Sequence, residues 1–118
     1  MTTPIGITLH QKSKTLEIAF DDGARYHLPF EFLRVYSPSA EVRGHGPGQE
    51  VLQVGKQNVN LTDVEAVGSY ALKLTFDDGH DSGLYTWNYL HELGENQEAK
   101  WRDYLRQMEE AGASREPR

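Results

Sequence analysis

The chain has no cysteine among its 118 residues, which excludes disulfide staples, thiolate metal sites and cysteine nucleophiles. Long apolar runs are missing as well. No stretch of about 18 apolar residues occurs, as a membrane span would need, and Met1 is followed by neither a basic nor an apolar leader segment. The expectation is a cytoplasmic protein that neither enters nor binds a membrane. An excess of positive charge is also absent: the net charge is -6, with six basic and six acidic groups in residues 1–60 and six and twelve in residues 61–118. A nucleic-acid surface must neutralise phosphates with cations, so that class of partner is disfavoured. At 37% hydrophobic content the chain fits a single domain that buries about two thirds of its unfolded surface. A monomer or weak dimer is then stable without staples.

What is present is a loose internal repeat. Residues 16–28, LEIAFDDGARYHL, alternate apolar and polar positions at Leu16, Ile18 and Phe20, as a half-buried strand does. A three-residue loop, Asp21 to Gly23 with Gly23 left-handed in a bulge, would pair Phe20 with Ala24, Ile18 with Tyr26 and Leu16 with Leu28, making one face continuously apolar. LKLTFDDG repeats the pattern downstream, with Leu72, Leu74 and Phe76 in the places of Leu16, Ile18 and Phe20.

Each copy then runs into a short predicted helix. The first spans Pro29 to about Tyr36, with Pro29 as its first residue. The second spans about Thr86 to Leu93, with Thr86 as N-cap and Gly94 as its stop. VNLTDVEAVGSYALKLTF supplies further strand material, turning around Val67 to Ser69. Asn96 is the expected cap of a C-terminal amphipathic helix that carries Trp101, Leu105 and Met108 at helical spacing with Tyr104 beside them, and that ends near Gly112. The fold class is therefore α+β: a mainly antiparallel sheet built from two hairpin-plus-short-helix units, followed by that helix. Residues 1–112 form the single domain and 113–118 a disordered tail.

Chemistry-bearing residues concentrate in FDDGHDSG, residues 76–83, which offers Asp77, Asp78, His80 and Asp81. The first copy has the same two aspartates without a histidine. That favours turn geometry over metal binding for Asp21, Asp22, Asp77 and Asp78. On the three-residue loop register His80 lies opposite Phe76 on the apolar face, where an imidazole needs a hydrogen-bond partner or a metal. A metal could also be held by Asp77, Asp78, Asp81 and His45, and His80 with Asp81 could act as an acid–base pair. His10, His27 and His91 stand at no metal-ligand spacing, and His45, in a glycine-rich loop, reads as solvent-exposed. GPGQEVLQVGK fails as a phosphate-binding loop, because Glu50 stands where its first glycine is required and Gln57 replaces the Ser or Thr. No serine lies in a nucleophile elbow. No catalytic constellation emerges.

The LR helix end, the x-Pro-x-Ala-Glu turn, AVGSYALKLTFDDGHDSGLYTW and YLHEL together resemble the small domain at the N-terminus of γ-butyrobetaine hydroxylase, over roughly residues 5–107. That domain also occurs as a stand-alone bacterial protein of unknown function and fused to Mrp-type iron–sulfur carrier ATPases. In the hydroxylase it binds zinc through a Cys-Pro-Cys-x-x-Cys turn and a later histidine. The resemblance puts Ser37, Ser39 and Val42 at the three cysteine positions and His80 at the histidine. A serine hydroxyl is un-ionised near neutral pH and valine has no donor, so the usual tetrahedral site cannot form. The hydroxylase's iron and 2-oxoglutarate chemistry belongs to a separate, larger domain.

The leading expectation is a non-enzymatic accessory or protein-interaction domain without a required cofactor, contacting an unknown protein partner through the loop Ser37 to Gly48 and the second FDDG hairpin. The alternative is a metal-binding protein, for zinc or another metal, using His80 and nearby carboxylates and linked to iron–sulfur or 2-oxoglutarate oxygenase systems by family analogy.

Overall fold

The computed structural model describes residues 2–44 and 50–117. Two three-stranded antiparallel sheets are each followed by helix. The first comprises β1 (Pro4–His10), β2 (Thr15–Phe20) and β3 (Arg25–Pro29), leading into α1 (Phe30–Val35) and the one-turn α2 (Ala40–Arg43). The second comprises β4 (Leu61–Val67), β5 (Ala71–Phe76) and β6 (Leu84–Thr86), leading into α3 (Trp87–Glu95) and the C-terminal α4 (Gln97–Glu110). This is the α+β architecture expected from the repeat. Among the described residues no helix is long and apolar enough to cross a membrane.

The first hairpin has the predicted register: Leu16 faces Leu28, Ile18 faces Tyr26, and the Phe20 amide donates to the Ala24 carbonyl at 2.8 Å. Gly23, at φ 90°, supplies the left-handed residue that such a bulge demands. The second hairpin starts identically, with Gly79 at φ 87° and the Phe76 amide donating to the His80 carbonyl at 2.9 Å. Past His80 it gains one residue. Leu72 then faces Tyr85 and Lys73 faces Leu84, so Tyr85 enters the core at 0% exposure while Leu84 stays 42% exposed.

β1 has no counterpart in the sequence reading. Its side chains are mostly exposed, and it is held chiefly by its ladder to β2. It nevertheless completes the repeat. The Asp21 amide donates to the Thr3 carbonyl at 2.9 Å while the Asp21 carboxylate accepts from the Thr3 amide at 3.1 Å. Asp77 does the same with Asn60, at 2.9 Å and 3.0 Å. Both edge strands also break register after their first pair, between Pro4 and Gly6 and between Leu61 and Asp63.

One core joins the two units. Leu16, Ile18, Phe20 and Leu28 meet Leu72, Leu74, Phe76 and Tyr85, with Phe30, Phe32 and Leu33 from α1 and Leu90 and Leu93 from α3. Each fully buried aliphatic or aromatic side chain contributes about 1.5–3 kcal/mol. A smaller cluster of Val35, Tyr104 and Met108 seats α4.

Three helix boundaries differ from expectation. Pro29 ends β3 and serves as N-cap of α1, so its fixed φ shapes the entry into the helix instead of its first turn. Gly94 does not stop α3, which continues to Glu95. Its role is to admit Tyr26: a Cβ built on Gly94 would lie 2.3 Å from the Tyr26 ring. Asn96 precedes α4 without a capping side-chain bond, and its side-chain amide instead donates back to the Glu92 carbonyl at 3.1 Å. The buried stripe of α4 runs through Tyr104 and Met108, leaving Leu105 38% exposed. Beyond α4, the segment read as a tail lies against the domain. Ser114 and Arg115 carbonyls accept from the Gly55 and Gln57 amides at 2.9 Å each, and Arg115 forms a bidentate pair with Glu31 at 2.8 and 2.7 Å.

Gly94→Ala should destabilise the domain by about 1–3 kcal/mol in urea unfolding, the range for overpacking. In a Tyr26→Ala background most of that penalty should vanish, because the two sites share one contact.

Candidate functional site

The four FDDG aspartates have structural partners. The Asp22 and Asp78 carboxylates each accept from the amide two residues on, Ala24 at 2.9 Å and His80 at 3.2 Å, closing the turn as Asx residues do. The second oxygen of each reaches the helix of the other unit: Asp22 meets His91 of α3 at 2.8 Å, and Asp78 meets Arg34 of α1 at 2.8 Å. Lys56 adds a third bond to Asp78 at 2.6 Å. Burial alone would raise the Asp78 carboxyl, but Lys56, the His80 amide and Arg34 together hold it down to about 2.

The positions implied by the family resemblance do converge. After α1 the chain turns through Ser37, Pro38 and Ser39 into α2. Ser37, Ser39, Val42 and His80 are all buried. The Ser37 hydroxyl lies 2.8 Å from His80 Nε2 and accepts from the Ser39 amide at 3.3 Å. The Glu41 carboxylate lies 3.1 Å from His80 Nδ1. A carboxylate only accepts, so Nδ1 donates to Glu41 and Nε2 is left to accept from the Ser37 hydroxyl. Ser39 bonds the Ser82 hydroxyl at 2.7 Å and caps α2 by accepting from the Glu41 amide at 3.2 Å. Val42 offers only its backbone, whose carbonyl accepts from the Val51 amide at 2.7 Å. Gly83 makes the convergence possible, since a Cβ there would lie 2.5 Å from the Ser37 hydroxyl.

His80 is thus a histidine with both ring nitrogens engaged. Burial, and then the Arg34 guanidinium, hold its imidazole below the ordinary 6.5, against the pull of Glu41 and Asp78. Asp81 does not join it. The aspartate is 55% exposed, 3.9 Å from Lys73, so the pair read as a possible acid–base couple is not assembled. His45, the other suggested metal ligand, lies outside the described residues. A cleft of about 360 Å³ opens beside the turn, lined by Tyr36, Ser37, Val42, Arg43, Val51 and Tyr89 among others. A second, of about 610 Å³, is bounded by Phe32, Gly94, Trp101 and Arg115. His80 lines neither.

Sequence reasoning missed one cluster. His10, Glu17 and His27, on β1, β2 and β3, bring one ligand-type atom each to within 4.8 Å of one another. His10 Nε2 lies 2.8 Å and His27 Nε2 3.4 Å from the same Glu17 oxygen, while Arg25 pairs with the other oxygen. The His10 bond first, then Arg25, pushes the Glu17 carboxyl down to about 2. His91 sits apart, between Asp22 and Glu95. The signal for the cluster was the strand register: pairing Leu16 with Leu28 already sets Glu17 opposite His27 on the polar face.

Ser37→Ala should cost about 1–3 kcal/mol in urea unfolding, because it strands a buried imidazole nitrogen. The depressed His80 value gives a pH signature. Folding favours the neutral ring, so the unfolded chain takes up the proton more readily, and stability is full above the ordinary histidine range and is lost as the pH falls through it. Between about pH 7.5 and about 5.5, the wild-type unfolding free energy should fall more steeply than that of His80→Gln.

The family described as "Gamma-butyrobetaine hydroxylase-like, N-terminal" matches residues 7–91. No functionally curated protein matches the chain. Among solved structures, a protein determined by solution NMR is 56% identical with a TM-score of 0.86, over 100% of this chain and 93% of that one. A second NMR structure is 51% identical with a TM-score of 0.85, over 99% of this chain and 87% of the other. A crystal structure of a protein of unknown function from Acidithiobacillus ferrooxidans, assigned to the DUF971 family, is 36% identical with a TM-score of 0.66, over 78% of this chain and 92% of that one. The family match and these likenesses agree with the fold and the residue pattern: the chain belongs to the γ-butyrobetaine hydroxylase-like N-terminal domain family.

Proposed function

We propose that the domain is a non-enzymatic protein-interaction module whose contact face is the loop Ser37 to Gly48, of which 45–48 lie outside the described residues, together with the second FDDG hairpin. The observation that carries this reading is the closed hydrogen-bond set of His80, with Nε2 on Ser37 and Nδ1 on Glu41. It ties the turn to the second hairpin through both ring nitrogens. Although Ser37, His80 and Glu41 stand in the order of a nucleophile, its base and an orienting carboxylate, His80 is 5% exposed and lines neither cleft, so the ring serves the turn and not a substrate. A rigid turn on a sheet scaffold is where binding groups are commonly displayed.

The face carries a small excess of negative charge. Glu41 is 70% exposed and Asp81 55% exposed, Asp77 is exposed on the same hairpin, and among the described residues only Arg43 of the turn and Lys73, 3.9 Å from Asp81, offset them. The fitting partner is a protein with a basic surface segment. Charge pairing of that kind speeds encounter and weakens with salt.

The test starts by identifying the captured partner by mass spectrometry with the full chain as bait, then measures binding of the two purified proteins. Glu41→Lys with Asp81→Lys, both at exposed positions, should weaken that binding by about tenfold or more, and raising the salt should do likewise. A folded double variant that binds as tightly as wild type overturns the assignment of this face.

A further inference from the structure

We propose that the polar face of the first sheet holds a divalent transition-metal site formed by His10, Glu17 and His27. It is independent of the interaction face and uses none of its residues. The three ligands come from three adjacent strands. Glu17 faces Thr8 on β1 and His27 on β3, and His10, two residues beyond Thr8, shares its side of the sheet. The core side is occupied by Leu9, Leu16 and Leu28, in register with one another. The backbone ladder therefore fixes where the three side chains start.

Both imidazoles aim Nε2 at one carboxylate oxygen, at 2.8 and 3.4 Å, and their rings lie 6.2 Å apart and tilted by 32°. Zinc with bonds of about 2.0–2.2 Å in tetrahedral geometry separates its ligand atoms by about 3.3 Å. The His27–Glu17 distance already has that value, and His10 must retreat by about half an ångström to match it. An ion would replace the ring protons that now bridge to Glu17. Two imidazoles and a carboxylate suit zinc, nickel or copper better than calcium or magnesium, which take oxygen ligands. His10 is 39% and His27 57% exposed, so water can complete the shell. Arg25 competes, since its guanidinium pairs with the second Glu17 oxygen and sets a positive charge beside the ion.

Calorimetric titration of the full chain with Zn²⁺ alone, in metal-free buffer, should give one saturable site. His10→Ala, His27→Ala and Glu17→Gln should each weaken it by about tenfold or more, and Arg25→Ala should tighten it. Histidine side-chain NMR should show the His10 and His27 nitrogens shifting on Zn²⁺ addition while those of His80 and His91 stay in place. The proposal fails if no saturable binding occurs below millimolar Zn²⁺, if the folded His10→Ala/His27→Ala double variant binds as wild type does, or if the metal shifts His80 instead.

Discussion

The structure depends on a reciprocal exchange: each unit's helix reaches across to the Asp-Gly turn of the other. Arg34 of α1 bonds Asp78 of the second hairpin, and His91 of α3 bonds Asp22 of the first. Neither hairpin could close its apolar face alone, because a single hairpin with one short helix has too little surface to bury. Crossing the helices over lets both hairpins share one core. The aspartates that close the turns locally also register the two halves, so turn chemistry and domain assembly rest on the same carboxylates.

The exchange also positions the Ser37–Glu41 turn. Arg34 of α1 bonds Asp78 of the second hairpin, and the chain leaving α1 at Ser37 passes close against Gly83. Gly83 removes the side chain that would block that path. Ser37 consequently arrives at hydrogen-bond distance from His80, forty-three residues away in the chain. Where the resemblance implies thiolates and an ion, this chain has hydroxyls, a carboxylate and a helix cap. A hydroxyl can both donate and accept: Ser37 bonds the imidazole and accepts from the Ser39 amide, while Ser39 bonds Ser82 and caps α2. Glu41 completes the imidazole's bonds from the solvent side.

Much of this was legible in sequence where local geometry dictates it. The alternation in residues 16–28 together with a glycine at the bulge position fixes the hairpin register, and the register fixes which residues are buried. Legibility ends where a residue's reason lies elsewhere in the fold. Gly94 carries a helix-stop signal, yet it is small because Tyr26 packs on it. β1 contains Pro4 and Gly6 and buries little, so neither propensity nor periodicity marks it. The extra residue after His80 flips Tyr85 inward, and strict repetition of the first hairpin would have chosen Leu84. Leu105 fits a helical stripe, but the seat of α4 selects Tyr104 and Met108. His10 joins Glu17 and His27 only once β1 is paired, which no spacing along the chain reveals.

Ser37 and Glu41 hold the turn on His80 with Nδ1 as donor and Nε2 as acceptor. The most direct measurement is the tautomer of His80, read from long-range proton–nitrogen correlations of the imidazole at neutral pH. The expected result is a neutral ring with its proton on Nδ1 and an unprotonated Nε2 shifted by a hydrogen bond. A proton on Nε2, a doubly protonated ring, or nitrogen shifts that collapse to another state when a chelator is added would contradict it.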